Sequence, residues 1–136
     1  MSVNRVIESD NAPAPVGSYS QAKQIGRFLQ VSGQIAIEPQ TGGVLQCGIT
    51  EQVSQVLAQI DAILAHAGAG WPDVLISRVY LSTDQDFDEF DAAYARHVPE
   101  PYPARVTVGA ELAPGALVEI EVLAVVPDTA TSVLPS

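Results

Sequence analysis

Val74-Leu75-Ile76-Ser77-Arg78-Val79-Tyr80-Leu81 is the stretch on which the fold turns. Its apolar residues fall on both of the faces that alternate along an extended chain. That pattern belongs to a central strand covered on two sides. Leu117 to Val126 has the same character.

Working outward, the segment before Val74 carries the strongest periodicity. Ile49, Val53, Val56, Leu57, Ile60, Ile63, Leu64 and Ala67 recur at the spacing of one helical face. Thr50 is placed to cap this helix and Gly68 to end it. The opposite face carries Glu51, Gln52, Gln55, Gln59 and Asp61. After Leu81, Thr83-Asp84-Gln85-Asp86 reads as the cap of a second helix, with acidic residues where the helix dipole favours them. Phe87, Phe90, Tyr94 and Val98 form its expected buried stripe, and Pro99 and Pro101 end it. The strands Arg105 to Ala110 and Leu117 to Val126, joined through Ala113-Pro114-Gly115, predict an antiparallel hairpin.

At the other end, Asn11 to Tyr19 is proline-rich and extended, and Ser20 to Gln24 leads to a turn at Ile25-Gly26. Arg27 to Ile37 has strand character, with Gly33 as a bulge or a close backbone approach. Glu38 to Gly43 is a turn. Beyond Pro127, the small polar residues 128–136 are expected to fray, leaving residues 1–127 as a single domain. The order is strand or strands, helix, strand, helix, strand, strand. It predicts a two-layer α+β fold, a mixed sheet with two helices on one face. Two helices cover one face only. The apolar residues on the other face predict burial against further copies of the chain.

Composition agrees. Of 136 residues, 47% are hydrophobic and only 16% charged, sparse for a monomer's surface. No run approaches the ~20 apolar residues of a membrane span. Met1 to Arg5 lacks the apolar core of a signal peptide, so a cytoplasmic protein is expected. The net charge of −10, with six scattered Lys and Arg, disfavours nucleic acid. Cys47 is the single cysteine and reads as a loop thiol. Cys47, His66 and His97 lack metal-ligand spacing, so neither a metal nor a cofactor is expected. Phosphate loop, nucleophile elbow and Ser/His/Asp set are all missing.

In so acidic a chain, Arg105 within Pro103-Ala104-Arg105 stands out. Its planar fork suits a carboxylate, either a ligand's or a structural partner's. Glu119 and Glu121, in Val118-Glu119-Ile120-Glu121, share one strand face and are the expected partners. They read as proton-transfer groups beside an interface or as charges on a solvent face. Tyr19, Ser32 and Gly33 are weaker candidates: a hydroxyl donor or a gap filler, and a backbone anion site or a bulge. Asp91 reads by default as a solvated helix residue.

Several of these segments occur together in a familiar order: Asn11 to Ala22, Val31-Ser32-Gly33-Gln34-Ile35, Gln52, Ala67-Gly68, Asp73-Val74, Phe87 to Tyr94, Pro103-Ala104-Arg105 and Val118-Glu119-Ile120-Glu121. In this order and at these separations, from Asn11 to Val125, the chain resembles the RidA/YjgF family of reactive-intermediate deaminases. The resemblance implies a chorismate-mutase-like fold and a homotrimer with clefts between subunits. It implies cofactor-free hydrolysis of 2-imino or enamine acids, typified by 2-aminoacrylate, to 2-keto acids and ammonia. By it, Arg105 holds the substrate carboxylate and Glu119 positions or activates water. Tyr19, Ser32 and Gly33 line the cleft, as do Asp91, Thr107 and Glu121. Many members have Asn where this chain has Asp91, and Cys where it has Thr107. An extra carboxylate there competes for Arg105. The link from Tyr94 to Pro103 is also shorter. Alternatives are a deaminase for a larger catabolic enamine such as 2-aminomuconate, and a non-catalytic trimeric module that senses 2-keto acids or acts as a chaperone. Ribonuclease activity, reported for some relatives, fits the charge poorly.

Overall fold

The helix expected around Val53 to Leu64 forms as α1 (Ile49–His66). Its apolar stripe is buried, with Val53, Val56, Leu57, Ile60 and Ile63 fully enclosed. In the computed structural model, which describes residues 3–85 and 87–128, α1 lies against one face of a six-stranded sheet. The strands are β1 (Asn4–Ile7), β2 (Ala22–Ile25), β3 (Phe28–Ile35), β4 (Val74–Leu81), β5 (Ala104–Gly109) and β6 (Val118–Val125). The second helix, α2 (Phe87–His97), packs beside α1. The α+β architecture therefore stands: a mixed sheet with two helices.

The sheet order is β1-β2-β3-β6-β4-β5. The expected hairpin of the last two strands is not formed. β5 pairs in parallel with β4, through the α2 crossover, and makes the sheet edge. β6 instead inserts between β3 and β4, antiparallel to both. Its composition is the reason. Val118, Ile120, Val122 and Ala124 are all completely buried beneath the helices, and a strand that apolar is best satisfied in the middle of the sheet. The short strands β1 and β2 were not separable by pattern, since Asn4-Arg5-Val6-Ile7 and Ala22-Lys23-Gln24-Ile25 are half polar.

Two details of α1 depart from the sequence reading. Gly48, not Thr50, is the N-cap, and the Thr50 hydroxyl lies 3.3 Å from Glu89. Gln52 and Gln59 are buried rather than solvated. Gln52 donates to the carbonyls of Leu45 and Gly115 at 2.9 Å each and accepts from the Leu117 N–H at 2.8 Å. A long amide can enter a core when it satisfies loop backbone groups in this way. Gly68 does follow the helix, in the left-handed conformation (φ +79°) that ends it.

α2 begins at Phe87, and Asp86 of its expected cap lies outside the described residues. Phe90, Tyr94 and Val98 are buried as expected, but Phe87 is 46% exposed. It sits at the helix start, where it covers Arg105 instead of the core. Of the expected frayed tail, residues 129–136 lie outside the described residues. No helix among the described residues is long and apolar enough to cross a membrane.

The sheet face away from the helices has no cover within the described chain. Val6, Ile25, Phe28, Val106 and Val108 are exposed, Phe28 at 60%. This is the open apolar face anticipated from the strand patterns.

Candidate active site

Strand alternation divides the candidate residues between the two sides of the sheet. Arg105 is in register with Ser77, whose buried hydroxyl shares a 2.9 Å hydrogen bond with Tyr94 of α2. Arg105 therefore projects to the helix side, as does Thr107, paired with the buried Val79. Glu119 pairs with Tyr80 and Glu121 with Arg78. Alternating with the enclosed Val118 and Ile120, both carboxylates project to the open side.

Arg105 is thus not paired with the β6 carboxylates, as the sequence reading had it. The sheet itself separates them. Its partner is Asp91, with Arg105 Nη1 donating to Asp91 Oδ1 at 2.8 Å. Nor is Asp91 a solvated helix residue without a task. The guanidinium carbon lies 5.6, 5.3 and 4.8 Å from the ring centres of Phe87, Phe90 and Tyr94. These rings attract the cation and restrict its rotamers. The Arg105 side chain is only 22% exposed, and Asp91 is 47% exposed. The outcome is a held guanidinium at the sheet edge, with a carboxylate on one side.

Phe87, Phe90, Asp91 and Tyr94 stand at i, i+3, i+4 and i+7 on α2. That spacing was the available signal for this recess. The periodicity by itself points to a core stripe, because nothing in it tells which end of the stripe meets a cation.

On the open side, Glu121 is fully engaged. The Tyr80 hydroxyl donates to it at 2.7 Å and the Gln30 amide at 3.2 Å. The bond to Glu121 is the chief reason the Tyr80 phenol is pushed above its ordinary pKa. Glu119 is different. Its carboxylate makes no hydrogen bond among the described residues. Desolvation raises its pKa, and repulsion from Glu121 adds to the effect. Gly33 explains its position. A Cβ built on Gly33 would collide with the Glu119 carboxylate. The β3–β6 register shifts between Val31 and Gln34, so Gly33 is both the bulge and the close approach.

Ser32 does not offer a free backbone donor. Its N–H donates to the Gln21 carbonyl at 2.9 Å and its hydroxyl to the Ser20 carbonyl at 2.6 Å. Tyr19 is half exposed, its hydroxyl accepting from the Val16 N–H at 3.3 Å. Tyr19 and Gly33 line one surface cavity of about 740 Å³, along with Glu8, Asp10, Gln34 and Pro13. The structure therefore brings Gly33 against Glu119, and Tyr19 into the cavity that Gly33 shares with Gln55 and Gln59 of α1. Separately, it brings together Arg105, Asp91 and the rings of α2.

The remaining candidates have structural surroundings. Burial, aided by Glu51, pushes the Cys47 thiol up, away from a reactive thiolate. His97 Nε2 lies 2.7 Å from Asp61, which also accepts from the Trp71 indole at 2.6 Å. Among the described residues, no cluster of three or more His, Cys, Asp or Glu could hold a metal ion.

Residues 9–126 match the family model described as Endoribonuclease L-PSP. A RutC family protein of Pyrococcus horikoshii is 43% identical over 123 residues, covering 90% of this chain and 98% of its own length. The 2-iminobutanoate/2-iminopropanoate deaminase of Capra hircus is 36% identical over 124 residues, covering 90% of each. The crystal structure of Escherichia coli TdcF with bound serine superimposes with a TM-score of 0.83 at 29% identity, covering 90% of this chain and 99% of that one. The fold, the span of the match and these identities agree with the resemblance seen in the sequence: the chain belongs to the RidA family, described equally as the Endoribonuclease L-PSP or RutC family.

Proposed function

We propose that this protein hydrolyses small reactive 2-imino or enamine acids, of the 2-aminoacrylate type, to 2-keto acids and ammonia. The work is done in clefts between the copies of a homotrimer. The observation that carries this reading is the division of the site. A guanidinium is held ready at one sheet edge, and an unpartnered, desolvated carboxylate sits behind the same sheet. One chain cannot bring them to one small molecule. A second copy laid on the open face supplies the missing half, and burial of the exposed apolar residues there drives the assembly.

Each residue then has a task. Arg105 binds the substrate carboxylate and so fixes the neighbouring C=N carbon. Glu119 of a second copy holds the attacking water and takes its proton. Water oxygen bonds to the imine carbon and the proton taken by Glu119 passes to nitrogen, giving a carbinolamine. Its hydroxyl proton then also passes to nitrogen through Glu119 as the C=O bond forms, the C–N bond breaks and ammonia leaves. An enamine first takes a proton at its terminal carbon to become the iminium form of the same acid, which gives the imine on losing an N–H proton. Tyr19 and Gly33 bound the cleft near Glu119. Gly33 is required because any side chain would occupy the carboxylate's place. Thr107, on the Arg105 side of β5, borders the recess, and Ser32 shapes the bulge. Glu121, held by Tyr80 and Gln30, keeps the local field negative and so keeps Glu119 basic. An imine this reactive needs orientation and a poised water more than strong electrophilic help, which fits so sparse a site.

The bound serine of TdcF and the imino-acid activity of the Capra hircus relative support a ligand with an α-carboxylate. The net charge of −10 weighs against RNA as substrate. The test supplies 2-aminoacrylate from a coupled dehydratase and follows imine loss. Acceleration by the protein, abolished in Arg105→Ala with the fold intact by circular dichroism, is expected. Binding of pyruvate without any acceleration would replace the enzyme with a 2-keto-acid sensor.

A further inference from the structure

Asp91 has a geometry that the carboxylate clamp does not need. Only its Oδ1 meets Arg105, at 2.8 Å. Its Oδ2 has no partner among the described residues, and the side chain is 47% exposed, more than twice the exposure of Arg105. A positive fork and a partly free negative oxygen therefore stand side by side, with Phe87, Phe90 and Tyr94 forming the wall behind the fork. A carboxylate alone would find this surface half repulsive. A molecule bearing a carboxylate and a cationic nitrogen on the adjoining carbon matches it, anion to Arg105 and N–H to Asp91.

We propose that Asp91 binds the cationic nitrogen of the ligand, so that the Arg105–Asp91 pair selects 2-iminium and 2-ammonium acids over 2-keto acids. This rests on the reading of Arg105 as a carboxylate clamp and adds the substrate's second contact. The consequence for turnover is direct. The iminium form is the more electrophilic one, and a carboxylate at its nitrogen favours that form. Once water has replaced nitrogen, a keto oxygen faces the Asp91 carboxylate, two acceptors with no proton between them. The product is then bound less well than the substrate.

The test compares L-alanine and pyruvate, which share a carboxylate and a methyl group and differ at the α-position. Their dissociation constants are measured by NMR titration at neutral pH for the wild-type protein, Asp91→Asn, Asp91→Ser and Arg105→Ala. The expected result is a preference for alanine over pyruvate that falls by about tenfold in Asp91→Asn, the scale of one charge-assisted hydrogen bond. Asp91→Ser gives the same readout should the Asn variant fail to fold. If Asp91 only competes for Arg105, both variants tighten alanine and pyruvate equally, the preference stays as it was, and the proposal is overturned. Arg105→Ala should weaken both ligands. If it changes neither, or if the wild-type protein binds neither, the clamp itself is wrong and this proposal goes with it.

Discussion

Two glutamates two residues apart on one strand have different surroundings, and their sequence could not tell them apart. Glu121 is held by a phenol and an amide; Glu119 is left unpartnered and desolvated. The partners come from β3 and β4, strands remote in sequence, so only the sheet register identifies them. A prediction follows from the direction of the Glu119 shift. A raised pKa means the proton is released at a higher pH than from an ordinary glutamate. Activity that needs the carboxylate must therefore fall as pH drops through that raised value. Background-corrected kcat/KM profiles should show this acid limb in the wild-type protein. Glu119→Gln should lose about 10²–10⁴-fold in rate, the usual worth of a general base. A near-normal rate in that variant, with the limb intact, would assign the base elsewhere. The same logic applies to Arg105. Its prominence in an acidic chain was legible; the residue pattern pointed to β6 for its partner and only the resemblance set Asp91 beside it, because alternation along β5 turns Arg105 away from the Glu119 side and toward α2.

At the scale of elements, α1 was readable because its stripe of aliphatic residues has no competing interpretation. The topology of the last two strands was not. A loop containing Pro114-Gly115 invites a hairpin, yet the burial demanded by Val118, Ile120, Val122 and Ala124 sends β6 to the sheet centre and leaves β5 at the edge. Gln52 illustrates the same limit. It reads as a polar-face residue, yet it joins α1 to two loops through three hydrogen bonds. Gln52→Ala is expected to destabilise the protein by about 2–3 kcal/mol, since it orphans buried backbone groups and leaves a void. Chemical denaturation measures this, and a change below the error of the method would contradict the role. The bulge at Gly33 was anticipated, and its reason is now specific. Gly33→Ala must displace the Glu119 carboxylate, so kcat/KM should fall further than thermal stability does. An active Gly33→Ala variant would show that Glu119 is not needed where it stands.

The whole molecule presents a sheet with helices on one face and apolar side chains exposed on the other. Two helices, set against strands apolar on both faces at Val74 to Leu81 and Leu117 to Val126, foretold this. The number of copies that cover the face is a matter of geometry between chains, which no pattern within one chain encodes. Phe28, the most exposed aromatic on that face, should act as a reporter. Phe28→Asp is expected to shift sedimentation from trimer toward monomer and to remove activity together with assembly. A monomeric variant with full activity would place the site within one chain. The most direct measurement of the shared site is complementation. Arg105→Ala and Glu119→Gln chains are each expected to be inactive alone. Coexpressed, they are expected to form the mixed trimers of the proposed assembly, in which roughly a quarter of the clefts receive Arg105 from one chain and Glu119 from the other by random assembly. Recovery of that fraction of wild-type imine hydrolysis is the predicted result. Mixed trimers that assemble but recover no activity would contradict a site divided between copies.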